Sequence, residues 1–385
     1  MDRKAKLLAG VAREHKVLEI GPSYNPTVTR RDGWNVFSLD HAPAAELRKH
    51  YGSKPGVDVS RIEEVDFVWK GGPLESAIPA EHLGTFDVII ASHVIEHQPN
   101  LVGFFQSTSR ILKPGGLLRL AVPDKRFCFD FFMPVTLTGD VLEAAFAEST
   151  RHTKRSRYHH SAYHVFINKN STWTQAPIEE LSWRKDNIHV AKTAFDAHQT
   201  GPEAPYFDLH AWYFTPAHFK LILLELGHLD LIQYREEAYF GPAGCEFIIS
   251  LRNTKPQRLD EAALQARRLE LLTQGLLEIR EQADFVLQGM GPGASGGEPG
   301  AHQAISLEME VRKKLEGRVD EMTHEVADMA AQLAALKREL AAKEESHQQL
   351  HAAIKRWNRR PWYSRALHKL RDAALRPPVS QTAES

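Results

Sequence analysis

The chain has 385 residues, which is more than one typical domain needs. Its formal net charge of −1 and its pI of about 7.1 exclude a global field that attracts nucleic acid or a membrane. Its two cysteines exclude a disulfide framework and favour a reducing compartment. Residues 1–16 lack the apolar core of a signal peptide, and no uncharged apolar run reaches the ~20 residues that span a bilayer. We therefore expect a cytoplasmic protein.

Short apolar runs predict the strands of a sheet. The early runs show no alternation, which is typical of strands buried on both faces of a parallel sheet. The predicted strands span residues 17–20, 35–39, 86–91, 117–122, 230–234 and 246–251.

Helical patterns separate these strands. One helix is predicted over residues 99–112, ended by the sequence KPGG at 113–116. Another is predicted over 216–226, where Thr215 and Pro216 are typical of a helix start. The alternation of strand and helix predicts an α/β fold with a doubly wound sheet.

Residues 124–214 interrupt this alternation. The segment is rich in His, Tyr, Trp, Phe and Arg and has weak periodicity. Because it is too long for a structureless loop in a compact domain, we predict a cap inserted over the end of the sheet. The domain that contains this sheet and cap is predicted to span residues 1–255.

The last third of the chain has a different organisation. A helical extension is predicted at 256–288, a flexible Gly-rich linker at 289–303, a coiled coil at 304–356 and a basic aromatic tail at 357–385. The coiled coil predicts self-association or a partner helix, and the alternative is a single amphipathic helix packed on the domain of residues 1–255. The tail suits a membrane surface, a partner protein, or a solvated basic end.

Two acidic residues lie near the ends of the first two predicted strands. Glu19 precedes Ile20 and Gly21, and a first strand that ends in a glycine turn is where doubly wound sheets bind nucleotides. Asp40 comes about 20 residues later, where an acidic side chain accepts hydrogen bonds from ribose hydroxyls. This pair also suits a dinucleotide enzyme.

A third stretch separates the two possibilities. FDVIIASHVIEHQPN at 86–100 and RILKPGGLLRLAVP at 110–123 form a strand, a helix, a tight turn and another strand. With the first two strands, this pattern resembles the class I S-adenosylmethionine-dependent methyltransferases, in the type 11/23-like group with an EH pair after the fourth strand. The resemblance implies a Rossmann-like, seven-stranded sheet and S-adenosyl-L-methionine as cofactor.

The resemblance also implies a cofactor site. Glu19 is expected near the methionine amino group, Gly21 under the sugar, and Asp40 on the ribose hydroxyls. Here Pro22 and Ser23 follow Gly21, where the family has further glycines. Around the adenine and the methionine the implied residues are Trp69, Gly71, Ala91, Ser92 and His93.

Charged and aromatic residues supply the candidate catalytic groups. His93, His97 and Asp124 are candidate bases, because a hydroxyl acceptor must lose a proton. Structural roles are the alternative for the two histidines, and an ion pair within the cap is the alternative for Asp124 and Arg126. The candidate acceptor-binding residues are Arg126, Asp130, His160, His210 and Trp212.

No metal site is predicted, although His160 and His164 are spaced to share a helical face. The segment around them favours a surface for an anionic substrate or a solvated charged face. His210 and Trp212 suit stacking on a sugar, and they are equally good core anchors.

These patterns favour O-methylation of a glycan, sugar or sugar phosphate in surface-polysaccharide assembly. The coiled coil and basic tail contribute an analogy with enzymes held at the inner membrane. The alternatives are a small-molecule methyltransferase, a nicotinamide-dependent oxidoreductase, or a non-catalytic scaffold. No nucleic-acid partner is expected.

Overall fold

The computed structural model describes residues 2–174, 177–185, 187–201 and 203–289, and further on residues 332, 335, 337, 339–340, 342–356, 359 and 362–375. The chain divides into two units, Met1–Ala294 and Ser295–Ser385. The predicted linker and the first half of the predicted coiled coil lie almost entirely outside the described residues.

The first unit contains a seven-stranded sheet. Its strands are β1 (Val17–Ile20), β2 (Val36–Asp40), β3 (Phe67–Val68), β4 (Phe86–Ser92), β5 (Leu112–Pro123), β8 (Tyr234–Ala243) and β9 (Glu246–Asn253). Their order in the sheet is β3-β2-β1-β4-β5-β9-β8. The first five strands pair in parallel, and β9 and β8 close the sheet antiparallel. This confirms the predicted doubly wound, seven-stranded fold.

Both faces of the central strands are covered. Leu18 and Ile20 of β1 join the main apolar cluster, whereas Val17 joins a second cluster that includes Val36 and Val88. Each such side chain contributes about 1.5–3 kcal/mol through burial. Burial on both faces is the reason why these strands read as continuous apolar runs.

Two helices lie close to their predicted positions. The helix α3 (Leu101–Ile111) begins after Asn100, whose side chain accepts a hydrogen bond from the Gly103 N–H at 2.8 Å. The helix α7 (Pro216–His228) has Pro216 in its first turn, as predicted. Two further helices accompany the first strands of the sheet, α1 (Arg3–Leu7) before β1 and α2 (Ala44–Tyr51) after β2.

Two predictions about the strands are wrong. The strand predicted at 230–234 is a loop with Ile232 in the core, and β8 begins only at Tyr234. The sequence of β8 lacks an apolar run, because β8 is an edge strand with largely exposed side chains. The strand predicted at 117–122 begins earlier, at Leu112, so that KPGG forms its irregular start, where Gly115 has a φ of 78° and the pairing with β4 shifts register.

The segment between β5 and α7 folds into a small α/β cap. Two of its strands form a separate antiparallel sheet. Its elements are α4 (Thr138–Phe146), α5 (Lys154–Ala162), β6 (Val165–Ile167), β7 (Leu181–Trp183) and α6 (Ile188–Ala197). Because α5 ends at Ala162, the prediction that His164 shares a helical face with His160 is wrong.

A long helix, α8 (Glu261–Gly289), packs on the start of the cap and on α7. The Gln282 Oε1 accepts a hydrogen bond from the buried Lys125 at 2.8 Å, and Glu281 lies 2.5 Å from Arg126. The Glu278 carboxylate accepts the Ala217 N–H at 3.1 Å. This helix therefore supplies polar partners to buried groups of the catalytic domain.

The second unit is helical where it is described between 332 and 356, and a further helix, α9, spans Trp362–Ala374. Among the described residues, no helix is both long and apolar enough to cross a membrane.

The contacts of α8 predict different outcomes for two truncations. A chain that ends at 289 keeps the partners of Lys125 and Arg126. We therefore expect its first unit to have the same unfolding temperature as in the full-length protein. A chain that ends at 255 leaves these buried cations short of partners and should lose about 3 kcal/mol or more. Thermal and urea unfolding measure the difference, and equal stability of the two truncations would contradict this role of α8.

Candidate functional site

A cavity of about 670 Å³ opens at the carboxyl ends of β1, β2 and β4, where doubly wound sheets bind ligands. Its walls come from four loops, from the end of α2 and from the last residues of the cap. Among the lining residues are Gly21, Ser23, Tyr24, Asp40, His41, Tyr51, Trp69, Gly71, His93, His97, Tyr206 and Asp208.

The loop after β1 lines this cavity with the main chain of a glycine, Gly21. Gly21 has a φ of 64°, and a Cβ atom at this position would lie 3.1 Å from the Val94 side chain. Its N–H donates to the Leu39 carbonyl at 2.8 Å, which ties the turn to β2. Only glycine satisfies both demands without strain.

Asp40 is the last residue of β2, and its side chain is buried. Most of the acceptor positions of its carboxylate receive hydrogen bonds from other groups of the protein. One carboxylate oxygen accepts the Ser23 N–H at 2.9 Å. The other accepts the His41 N–H at 2.8 Å and lies 2.7 Å from the His41 Nδ1. Because a carboxylate has about four acceptor positions, these three contacts leave about one of them free.

Glu19 does not line the cavity. Its carboxylate is buried and accepts N–H groups of Thr27 and Val28, at 2.7 and 3.3 Å. Burial raises the pKa of Glu19 to about 7, although these two donors act in the opposite direction. Glu19 therefore holds the loop after β1 from behind.

His93 follows β4 in a backbone conformation that is unusual for a side-chain-bearing residue, with a φ of 53°. Its Nε2 lies 2.7 Å from Glu246 of β9, and the same carboxylate receives Arg3 at 2.6 Å. Burial acts to lower the pKa of His93, but the Glu246 hydrogen bond and the charge of Glu96 outweigh it and raise the pKa. A carboxylate thus orients a strained histidine at the cavity wall.

A second histidine, His97, also reaches the cavity. Its Nδ1 lies 2.9 Å from the exposed carboxylate of Asp208 at the end of the cap. Burial acts to lower the pKa of His97, but Asp208 and Glu96 together raise it to about 9. The charged imidazole in turn lowers the pKa of Asp208, through the hydrogen bond first.

His210 stands behind His97, with the two ring centroids 4.5 Å apart. The Nδ1 of His210 lies 2.6 Å from Asp130, which also has the Nε2 of His164 at 3.1 Å. Burial acts to raise the pKa of Asp130, and the two histidines reverse this and lower it. Asp130 and His210 are thus neighbours of the cavity and do not line it.

Other predicted site residues lie away from the cavity. Asp124 and Arg126 are buried against each other in a two-point ion pair at 2.9 and 2.6 Å, which matches the ion-pair alternative. Trp212 is a core residue whose Nε1 donates to the Gln98 carbonyl at 2.6 Å. The remaining ones, which do not line the cavity, are Pro22, Ala91, Ser92 and His160.

Some residues that line the cavity or lie next to it were not identified from the sequence. Tyr51 lies at the end of α2, 4.8 Å from the Tyr24 ring, and no motif marks it. Tyr206 and Asp208 immediately precede the His210 segment, so their proximity in sequence was an available signal. Glu246 opens β9, and only the pairing of β9 with β5 places it near His93.

A family model described as a methyltransferase domain matches residues 1–227. Among solved structures, an S-adenosylmethionine-dependent methyltransferase from Methanosarcina mazei is 15% identical, with 63% of this chain and 94% of that chain covered and a TM-score of 0.31. A Burkholderia thailandensis 1,6-didemethyltoxoflavin-N1-methyltransferase is 13% identical, with coverages of 65% and 76% and a TM-score of 0.31. No curated protein matches the chain.

The buried Glu19 predicts a specific dependence of stability on pH. Because its folded pKa of about 7 lies above the usual 4.5, its favourable contribution is complete below pH 4.5 and is lost as the pH rises through 7. Relative to Glu19→Gln, the wild-type protein should lose about 3 kcal/mol of unfolding free energy over this range. Urea unfolding at several pH values tests this, and parallel curves for the two proteins would contradict it.

Proposed function

This chain belongs to the methyltransferase domain family, and from that premise we propose that it methylates a hydroxyl group of a glycan, sugar or sugar-phosphate acceptor. The observation that carries the choice of a hydroxyl is the histidine His93, which a carboxylate orients at the cavity wall. A hydroxyl loses its proton only far above neutral pH, so it has more need of a base than a thiol, whose pKa is about 8.5.

The cavity suits S-adenosyl-L-methionine, the cofactor of this enzyme class. Its volume of about 670 Å³ lies within the usual range for small-molecule sites. Gly21 leaves room for close approach, Asp40 offers its free acceptor position to a ribose hydroxyl, and Trp69 adds an aromatic surface. When bound, the cofactor supplies a methyl carbon attached to a positively charged sulfur.

His93 is suited to remove the proton of the acceptor. Transfer to a hydroxyl forms one C–O bond, breaks the C–S bond with its electron pair left on sulfur, and releases one proton. Since Glu246 engages the Nε2 of His93, the Nδ1 is the atom that accepts this proton. The resulting imidazolium lies between two carboxylates, because Glu96 is 3.6 Å from that Nδ1.

Aromatic rings at the cavity support a carbohydrate acceptor. Tyr24 and Tyr206 line the cavity and are 38% and 39% exposed. Exposed rings with polar tips suit stacking on the apolar faces of sugars.

Sequence patterns support a proposal for location and assembly. We propose that residues 1–255 act as the catalytic domain in the cytoplasm and that residues 304–356 self-associate as a coiled coil. The basic tail at 357–385 would then hold the enzyme near the inner membrane. Comparison of the full-length protein with the chain that ends at 289 separates the effects of self-association and membrane contact from catalysis.

The acceptor class is tested directly. Purified enzyme with S-adenosylmethionine should release S-adenosylhomocysteine in the presence of hydroxyl acceptors such as sugars, sugar phosphates or glycans, and the product should carry an O-methyl group by mass spectrometry and NMR. Methylation confined to nitrogen, sulfur or carbon would overturn the proposal.

The role of His93 predicts a separation of turnover from binding. His93→Gln should lower kcat by about 10²–10⁴-fold, the usual contribution of a positioned base. Its affinity for S-adenosylhomocysteine should change little. Glu246→Gln should act in the same direction, and His218→Gln, a buried histidine that bonds Thr215 instead, is the matched control. Equal kcat values for His93→Gln and the control would exclude His93 as the base.

Asp40 and His41 form a matched pair for cofactor binding. Asp40→Ala should weaken S-adenosylhomocysteine binding by about 1.5–3 kcal/mol for each lost charge-assisted hydrogen bond. His41→Ala frees a position on the same carboxylate and should leave affinity unchanged or improved. Calorimetry measures both, and an unchanged affinity for Asp40→Ala would remove Asp40 from the site.

A further inference from the structure

We propose that Glu96, His97 and His210 bind one divalent transition-metal ion beside the methyl-transfer cavity. One donor atom from each residue lies within 4.8 Å of the others. This cluster is distinct from His160 and His164, for which no metal site is predicted from the sequence.

The three residues come from distant parts of the chain. Glu96 and His97 lie in the turn after β4, and His210 lies at the end of the cap. A main-chain hydrogen bond from the Ala211 N–H to the Glu96 carbonyl, 2.7 Å long, joins the two segments. The two histidines are thereby held beside the same carboxylate.

Both imidazoles have a carboxylate close to one ring nitrogen, as metal-binding histidines usually do. The Nδ1 of His97 is 2.9 Å from Asp208, and the Nδ1 of His210 is 2.6 Å from Asp130. A histidine that binds a metal through one ring nitrogen almost always presents the other to a carboxylate or carbonyl. The Nε2 atoms are therefore the ones left for an ion.

Glu96 gives independent support for an ion at this cluster, because its carboxylate oxygens lack direct donors in the described part of the chain. Its side chain is 0% exposed, and neither carboxylate oxygen has a hydrogen-bond partner among the described residues. The nearest imidazole nitrogens, of His93 and His97, lie 3.6 and 3.7 Å from Oε1, which is too far for a hydrogen bond. A buried carboxylate without direct donors is costly, and a coordinated ion removes that cost.

The donor set indicates the class of ion. Two imidazoles and one glutamate are the ligands of several catalytic zinc sites, and two histidines with one carboxylate also suit iron. Calcium and magnesium prefer oxygen ligands and are disfavoured here. Since zinc–nitrogen bonds are about 2.0–2.1 Å long, the side chains need to move inward by roughly an ångström to bind the ion.

The role of such an ion rests on the proposed function. Because His97 lines the cavity, an ion bound to it would lie next to the acceptor. There the ion would orient the acceptor hydroxyl and make its proton easier to remove, next to His93. Binding of the ion itself does not depend on the identity of the acceptor.

The test uses full-length protein stripped of metal with a chelator, without cofactor or acceptor. Calorimetry with Zn²⁺ should show one ion per chain, and Co²⁺ should produce visible absorption bands of a bound ion. Mg²⁺ and Ca²⁺ should give no saturable binding. Glu96→Gln and His210→Gln should weaken Zn²⁺ binding by more than about 100-fold, because changes to the outer partners of ligands alone cost about 10–100-fold.

Two further variants keep the result interpretable. Asp208→Asn alters an exposed residue, so it should fold normally and weaken Zn²⁺ binding by about 10–100-fold. His218→Gln should bind Zn²⁺ like the wild type. Absence of saturable Zn²⁺ binding to the stripped protein, or equal affinity in Asp208→Asn, Glu96→Gln and His218→Gln, would overturn the metal site. In that case O-methyl product formation by the same preparation would leave the proposed function standing.

Discussion

The main-chain hydrogen bond between Ala211 and Glu96 is the contact on which the candidate site depends. It joins the turn after β4 to the last residues of the cap, although the two segments are more than 100 residues apart in sequence. Because of this bond, His97 meets Asp208 on one side and His210 on the other. The cap is therefore part of the site wall and supplies charges that the sheet alone does not have.

Carboxylates lie against three histidines at or next to the cavity wall, His93, His97 and His210. Glu246 holds His93, Asp208 holds His97, and Asp130 holds His210. Each pair combines an imidazole with an acid from a different segment, so the geometry exists only in the folded protein. Such pairs fix which ring nitrogen is available for chemistry, and this is what distinguishes a reactive histidine from a merely buried one.

The sequence was informative where a single local pattern determines the structure. The apolar strands 17–20 and 86–91 and the residues just after them were predictable, because parallel strands place their carboxyl ends at one edge. Gly21, Asp40, His93 and His97 all line the cavity for this reason. The edge strand β8 was not predictable in the same way, since its exposed side chains leave no apolar run.

Side-chain direction and distant partners were beyond what the pattern could indicate. Glu19 lies at the predicted strand end, yet its carboxylate faces the loop behind the cavity. Asp124 and Arg126 follow β5 as predicted, but their partners are each other and the helix α8, more than 150 residues later. Tertiary packing alone decides between a binding role and a buried ion pair for such residues.

The position of α8 also has a consequence for how the protein is made. The region shared with the family ends at residue 227, before β8, β9 and α8 have been synthesised. Until residues 261–289 leave the ribosome, Lys125 lacks its Gln282 partner and Arg126 lacks Glu281. These two buried contacts of the catalytic domain therefore form only after a late part of the chain has been synthesised.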